Sequence, residues 1–102
     1  MGVVIWSEDK VKELSMSCTT YVYLRFVVAE ISDYDPMIML WINSPDTDGE
    51  QDHIMATNIY SFITDVPVEA ISEDYGNAKI YWEDFKEFFR YCNENELGFK
   101  WC

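Results

Sequence analysis

Thr19-Thr20-Tyr21-Val22-Tyr23-Leu24-Arg25-Phe26-Val27-Val28-Ala29-Glu30-Ile31 is the densest run of β-branched and aromatic residues in the chain, a composition that favours a pleated strand. Taken with a period of two, Val22, Leu24, Phe26 and Val28 share one face, and Tyr21, Tyr23, Arg25, Val27 and Ala29 share the other. Both faces are mostly apolar, so residues 19–31 are expected as a central strand covered on each side. Ser32-Asp33-Tyr34-Asp35-Pro36 then reads as a turn, with Asp bonding the local backbone and Pro ending the run.

On the N-terminal side, Gly2 to Trp6 is a short run of strand type. Ser7 is placed as an N-cap with Glu8 and Asp9 in the first turn. Lys10 stands where a capping box would carry Glu or Gln. Val11, Leu14 and Cys18 follow at i, i+3 and i+7, which predicts a helix over residues 8–17.

On the C-terminal side, Met37 to Asn43 reads as a second strand. A loop, Ser44 to Asp52, carries Asp48-Gly49, the residue pair of a type I′ hairpin turn. His53 to Tyr60 returns as the partner strand, although Ile59, Phe62, Ile63 and Val66 also fit a helical stripe. Pro67 to Gly76 is an acidic connection, and Lys79 to Tyr81 a short edge strand. Trp82 to Glu96 has the clearest helical period, with Phe85, Phe88, Phe89 and Cys92 on one face, and Gly98 is placed to end it. Phe99 and Trp101 follow as an extended tail. The order β-α-β-β-β-α predicts one α+β domain, residues 1–102. It would be a small antiparallel sheet of three to five strands, with an N-terminal and a C-terminal amphipathic helix packed on one face.

The charge is as uneven as the hydropathy. From Phe26 to Ala78 stand Glu30, Asp33, Asp35, Asp46, Asp48, Glu50, Asp52, Asp65, Glu69, Glu73 and Asp74, with no Lys or Arg, in a chain of net charge -12. An aromatic content of 17% separates the chain from acidic disordered segments, which cannot bury enough apolar area to fold. Polyanions need Lys and Arg on the protein, so direct binding to nucleic acid or to an anionic membrane is disfavoured. A basic protein surface is the complementary partner.

Cys18, Cys92 and Cys102 are odd in number and irregular in spacing, giving neither a disulfide framework nor a CxxC zinc pattern. Met1 to Lys12 has no apolar core of leader length, and no window approaches the length of a membrane span. The expected setting is cytoplasmic, or the host cytoplasm for a phage-encoded chain.

Catalytic and metal readings fail on pattern. With Gly49 as the sixth position of an EF-hand loop, Met55 falls at position twelve, where a bidentate Glu belongs. His53 and Cys18 could make a base–thiol pair only through geometry, and no flanking motif supports them. Glycine-rich phosphate loops are absent. No cofactor, metal or catalytic residue is expected, and the chain is not expected to be an enzyme.

In composition the chain is similar to phage-encoded anti-defence proteins, anti-CRISPR proteins among them, and to bacterial immunity proteins; no family-specific motif accompanies the likeness. The expectation is a small acidic inhibitor that occludes a basic surface, in particular one that binds nucleic acid, by charge imitation of nucleic acid. The alternatives are an immunity protein neutralising a toxin nuclease, and a non-catalytic subunit of a larger assembly. The expected contact residues are Asp46, Asp48, Glu50 and Asp52 at the hairpin tip, Asp33 and Asp35 at the turn, and Asp65, Glu69, Glu73 and Asp74 in the connection. Tyr34 and Tyr75 are the aromatic anchors; Trp41 and Tyr60 are anchor candidates too, but core packing is the favoured expectation for them.

Overall fold

In the computed structural model, which describes residues 2–102, Ser17 ends a strand and caps a helix. Its Oγ accepts from the Thr20 amide at 3.1 Å, and Cys18–Ile31 follows as α1. The expected central strand over residues 19–31 is therefore a helix. Tyr21, Leu24 and Val28 turn inward at helical spacing, with Thr20, Arg25, Val27 and Ala29 buried beside them. A helix covered on most of its circumference tolerates β-branched residues, because burial of about 1.5–3 kcal/mol per large side chain outweighs helix-propensity differences below about 0.7 kcal/mol per residue.

Two further caps redirect the chain in the same way. Asp35 accepts from the Ile38 amide at 3.3 Å, with Pro36 at the first helical position, and starts α2, Pro36–Ile42. Asp52 accepts from the Met55 amide at 3.0 Å and starts α3, His53–Ile63. The strands expected at 37–43 and 53–60 are thus helices. The helical stripe through Ile59 and Ile63 is the one that is buried. The Asp48-Gly49 hairpin does not form either, since Gly49 already belongs to β3, Gly49–Gln51.

The helix expected at 8–17 is a hairpin. β1, Gly2–Ser7, pairs antiparallel with β2, Glu13–Ser17. Ser7 closes the turn: its Oγ donates to Asp9 at 2.6 Å and accepts from the Lys12 amide at 3.0 Å. Its side chain is therefore engaged in the hairpin rather than in an N-cap. The strand expected at residues 2–6 is present, extended by one residue.

The last helix, α4, spans Ala78–Glu94 and absorbs the edge strand expected at 79–81. It ends at Glu94 and is closed by Glu96 rather than by Gly98. Glu96 takes φ 54°, and the Leu97 amide bonds the Cys92 carbonyl at 2.9 Å, a Schellman closure. Phe99–Trp101 is β4, and it is not a tail. It lies between β1 and β3 in a four-stranded antiparallel sheet of order β2-β1-β4-β3.

The α+β class and the antiparallel sheet with helices on one face hold. The inward sheet residues Val3, Ile5, Met16, Phe99 and Trp101 meet Trp41 of α2, Ile59 of α3, and Trp82, Phe85 and Phe89 of α4 in one core. Trp41 and Tyr60 are thus core or core-packed rather than surface anchors. Among the described residues no helix is long and apolar enough to cross a membrane.

Candidate functional site

The carboxylates of the middle segment divide by the partner each finds. Asp35 and Asp52 cap helices. Glu50 pairs with Lys100 at 3.7 Å, its cross-strand neighbour, and Glu73 pairs with Lys79 at 3.7 Å. Asp46 lies with Val22, Arg25, Phe26 and Ile42 around a hollow of about 250 Å³. Asp65 precedes Val66, whose carbonyl accepts from Trp82 Nε1 at 2.8 Å and Lys86 Nζ at 3.0 Å, and Glu69 lies in the 3-10 turn Val68–Ala70. Asp48 is exposed in the loop before β3.

Asp33, Asp74, Tyr34 and Tyr75 are brought together with Glu30, which was counted in the acidic stretch but not among the expected contact residues. α1 ends in a Schellman closure: the Asp33 amide bonds the Glu30 carbonyl at 3.0 Å, and the Tyr34 amide bonds the Ala29 carbonyl at 2.8 Å. Asp33 and Tyr34 take φ 52° and 59°, a left-handed conformation that costs a non-glycine residue about 1–2 kcal/mol. The strained Tyr34 side chain is 59% exposed.

Against this helix end stands a single 3-10 turn, Glu73–Tyr75, started by Ser72. The Tyr75 hydroxyl donates to Glu30 Oε1, and its ring meets Tyr23 of α1 edge-on at 6.0 Å between centroids. Gly76 makes that approach possible. It takes φ 58°, and a Cβ there would stand 3.3 Å from the Tyr23 ring. The Glu30 carboxylate, followed by desolvation and the nearby Tyr34 and Asp74, pushes the Tyr75 phenol up to about 12. Two acidic segments more than forty positions apart thus share one surface (Glu30 to Tyr75, 45 positions).

Lys79 neutralises Glu73 at the start of that turn, while Glu30, Asp33 and Asp74 have no Lys or Arg partner among the described residues. Lys79, Lys86, Arg90 and Lys100 are engaged in ion pairs. Arg25 is in the core, donating to the carbonyls of Trp41, Ile42 and Ser44. Its guanidinium lies 5.2–5.7 Å from the rings of Tyr21, Trp41 and Trp101, a cation–π cage. Desolvation there draws its pKa below the usual value.

His53 opens α3 on an open groove of about 440 Å³ that also holds Glu8, Asp52 and Lys100. Cys92 is buried, and desolvation pushes its thiol up to about 12, away from the range of a nucleophile. Among the described residues no group of His, Cys, Asp and Glu is arranged to hold a metal ion.

A signal for this site was present in the sequence. Read as a helix, residues 18–31 place Glu30 in the last turn, beside Asp33 and Tyr34. No family model, curated protein or solved structure matches the chain.

Proposed function

We propose that the protein is a non-catalytic acidic binder that occludes a basic surface of a partner protein, of the kind that nucleic-acid-handling enzymes and toxin nucleases present. The observation that carries this reading is the joined surface of Glu30, Asp33, Tyr34, Asp74 and Tyr75. Carboxylates there steer a basic partner in, and a strained, outward tyrosine supplies a rigid amphipathic anchor. The segment Asp46–Asp52, expected to lead, is assigned a secondary role because Glu50 and Asp52 already hold partners within the chain. The three free thiols suit a reducing, cytoplasmic setting.

The test is displacement of a fluorescent duplex from basic nucleases by the purified protein. Duplex release is expected, with an association rate that falls steeply between low and physiological salt. Asp33→Asn with Asp74→Asn should slow association, and Tyr34→Ala should speed dissociation. A partner whose on-rate is flat in salt and indifferent to these changes overturns the reading.

One observation favours the assembly-subunit reading. Met37 and Leu40 on α2 and Ile54 on α3 are exposed apolar side chains at 42%, 68% and 52%. A partner kept after charge neutralisation and lost in Leu40→Asp would establish it.

A further inference from the structure

We infer that the outer edge of β2 is a docking site for an extended basic segment of a partner protein, which adds to the sheet as a fifth strand. This rests on the proposed reading of an acidic binder and names how it grips its partner.

The backbone pattern defines the free edge. Val4 exchanges both backbone hydrogen bonds with Cys102 of the β4 side, at 2.9 and 3.0 Å. Its neighbours Val3 and Ile5 therefore turn their amides and carbonyls to β2, where they oppose Met16 and Leu14. Glu13 and Ser15 must direct theirs the other way. β2 is the outermost strand on that side, and it carries none of the Lys, Pro or bulge devices that usually blunt an edge.

Beside this edge runs a groove of about 190 Å³ between β2 and α4, lined by Leu14 and Phe88 with Glu13, Asp84, Glu87 and Lys12. Leu14 and Phe88 make its apolar floor. Lys12 is drawn aside over the Tyr91 ring at 5.9 Å, and Glu87 is held by Arg90, which leaves Glu13 and Asp84 as unpaired rim charges among the described residues. An added strand alternates its side chains: apolar residues enter on the Leu14 side, and the intervening ones lie on the solvent face beside Glu13. Glu13 selects basic residues there, and Asp84 bounds the groove on the α4 side. A second copy of this chain is disfavoured, because each copy carries a net charge of -12.

The probe is a terminally blocked hexapeptide of alternating Lys and Val, followed by amide chemical shifts. Binding is expected with shifts centred on residues 13–17. N-methylation of alternate peptide amides should weaken it by about tenfold or more, since each lost hydrogen bond costs up to about tenfold. Ser15→Pro removes an outward amide that β1 does not use, a substitution edge strands accept, and should weaken binding comparably. Glu13→Arg with Asp84→Arg, which leaves the edge backbone intact, should weaken the basic peptide and strengthen a Glu-Val counterpart. Salt-sensitive binding that ignores N-methylation and shifts the amides around Glu30 and Tyr75 overturns the strand site while leaving the acidic-binder reading standing. Absence of binding by the Lys-Val peptide alone overturns the strand site, and absence of binding by every basic probe overturns both. Dimerisation through residues 13–17 in place of peptide binding also overturns it.

Discussion

Arg25 Nη2 donates to the Trp41 carbonyl in the last turn of α2, and the same nitrogen reaches Ile42 and Ser44 at 2.7 Å each. A cation at a helix C-terminus opposes the partial negative charge of the unsatisfied carbonyls. Arg25→Ala would leave three acceptors without that donor and a gap among three aromatic rings. A loss of about 3 kcal/mol in urea unfolding is expected, from charged hydrogen bonds of about 1.5–3 kcal/mol and lost packing. Arg25→Lys should recover part of it, and a loss under about 1 kcal/mol for Arg25→Ala would refute the clamp.

Tyr34→Gly separates stability from binding. Relief of the left-handed strain at φ 59° should raise stability by about 0.5–1 kcal/mol, because the exposed ring leaves little packing to lose. Affinity for the basic partner should fall about tenfold, as for a moderate hot spot. Glu96→Gly relieves the same strain at the end of α4 and should stabilise comparably with affinity unchanged. A Tyr34→Gly variant that binds as well as the parent would remove Tyr34 from the anchor.

The Tyr75 phenol, pushed up to about 12 by Glu30, gives a pH dependence of definite sign. Its ordinary value is about 10, so the fold holds the proton more tightly than the unfolded chain does. The resulting stabilisation is present in full below about pH 10 and is lost as pH rises through about 12. Solvent screening of this outward-facing group keeps it under about 1 kcal/mol. In Glu30→Gln, the Tyr75 titration followed by ring carbon shifts should move back towards 10. An unmoved midpoint would exclude Glu30 as the cause.

The three cysteines should differ in reactivity. Cys102 is exposed, Cys18 half-buried, and Cys92 buried with its thiol pushed up to about 12. A thiol reagent at pH 8 should modify Cys102 first and Cys92 only when the protein unfolds. Modification of Cys92 without unfolding would contradict the packing around α4.

The residues that misdirect a reading of the sequence are those whose short-range chemistry has two outcomes. Ser17, Asp35 and Asp52 read as helix end, turn and charged loop, but each accepts a hydrogen bond from the backbone amide three residues ahead and starts a helix. Asp35-Pro36 is a cap followed by proline at the first helical position, a signal available in the sequence. Ser7 had the reverse fate. The long Phe-rich stripe of α4 was legible because only one period fits Phe85, Phe88, Phe89 and Cys92. The valine-rich stretch 19–31 fits two periods, and tertiary burial decides between them. The Glu30–Tyr75 contact depends on the helical outcome, so the site was legible only in its acidic and tyrosine components.

β4 occupies an inner place in the sheet, with β1 on one side and β3 on the other. As the chain leaves the ribosome, β1 meets β2 at once, whereas Gly49–Gln51 is made about fifty residues before Phe99–Trp101 can pair with it. Until then neither β3 nor the open side of β1 has a partner, and the Trp101 side of the core is missing. Pairing over such separations is slow to close. The nascent chain must therefore hold an unfinished sheet in solution until residue 101 emerges. The mutual repulsion of its many carboxylates would help to keep neighbouring nascent chains apart during that interval.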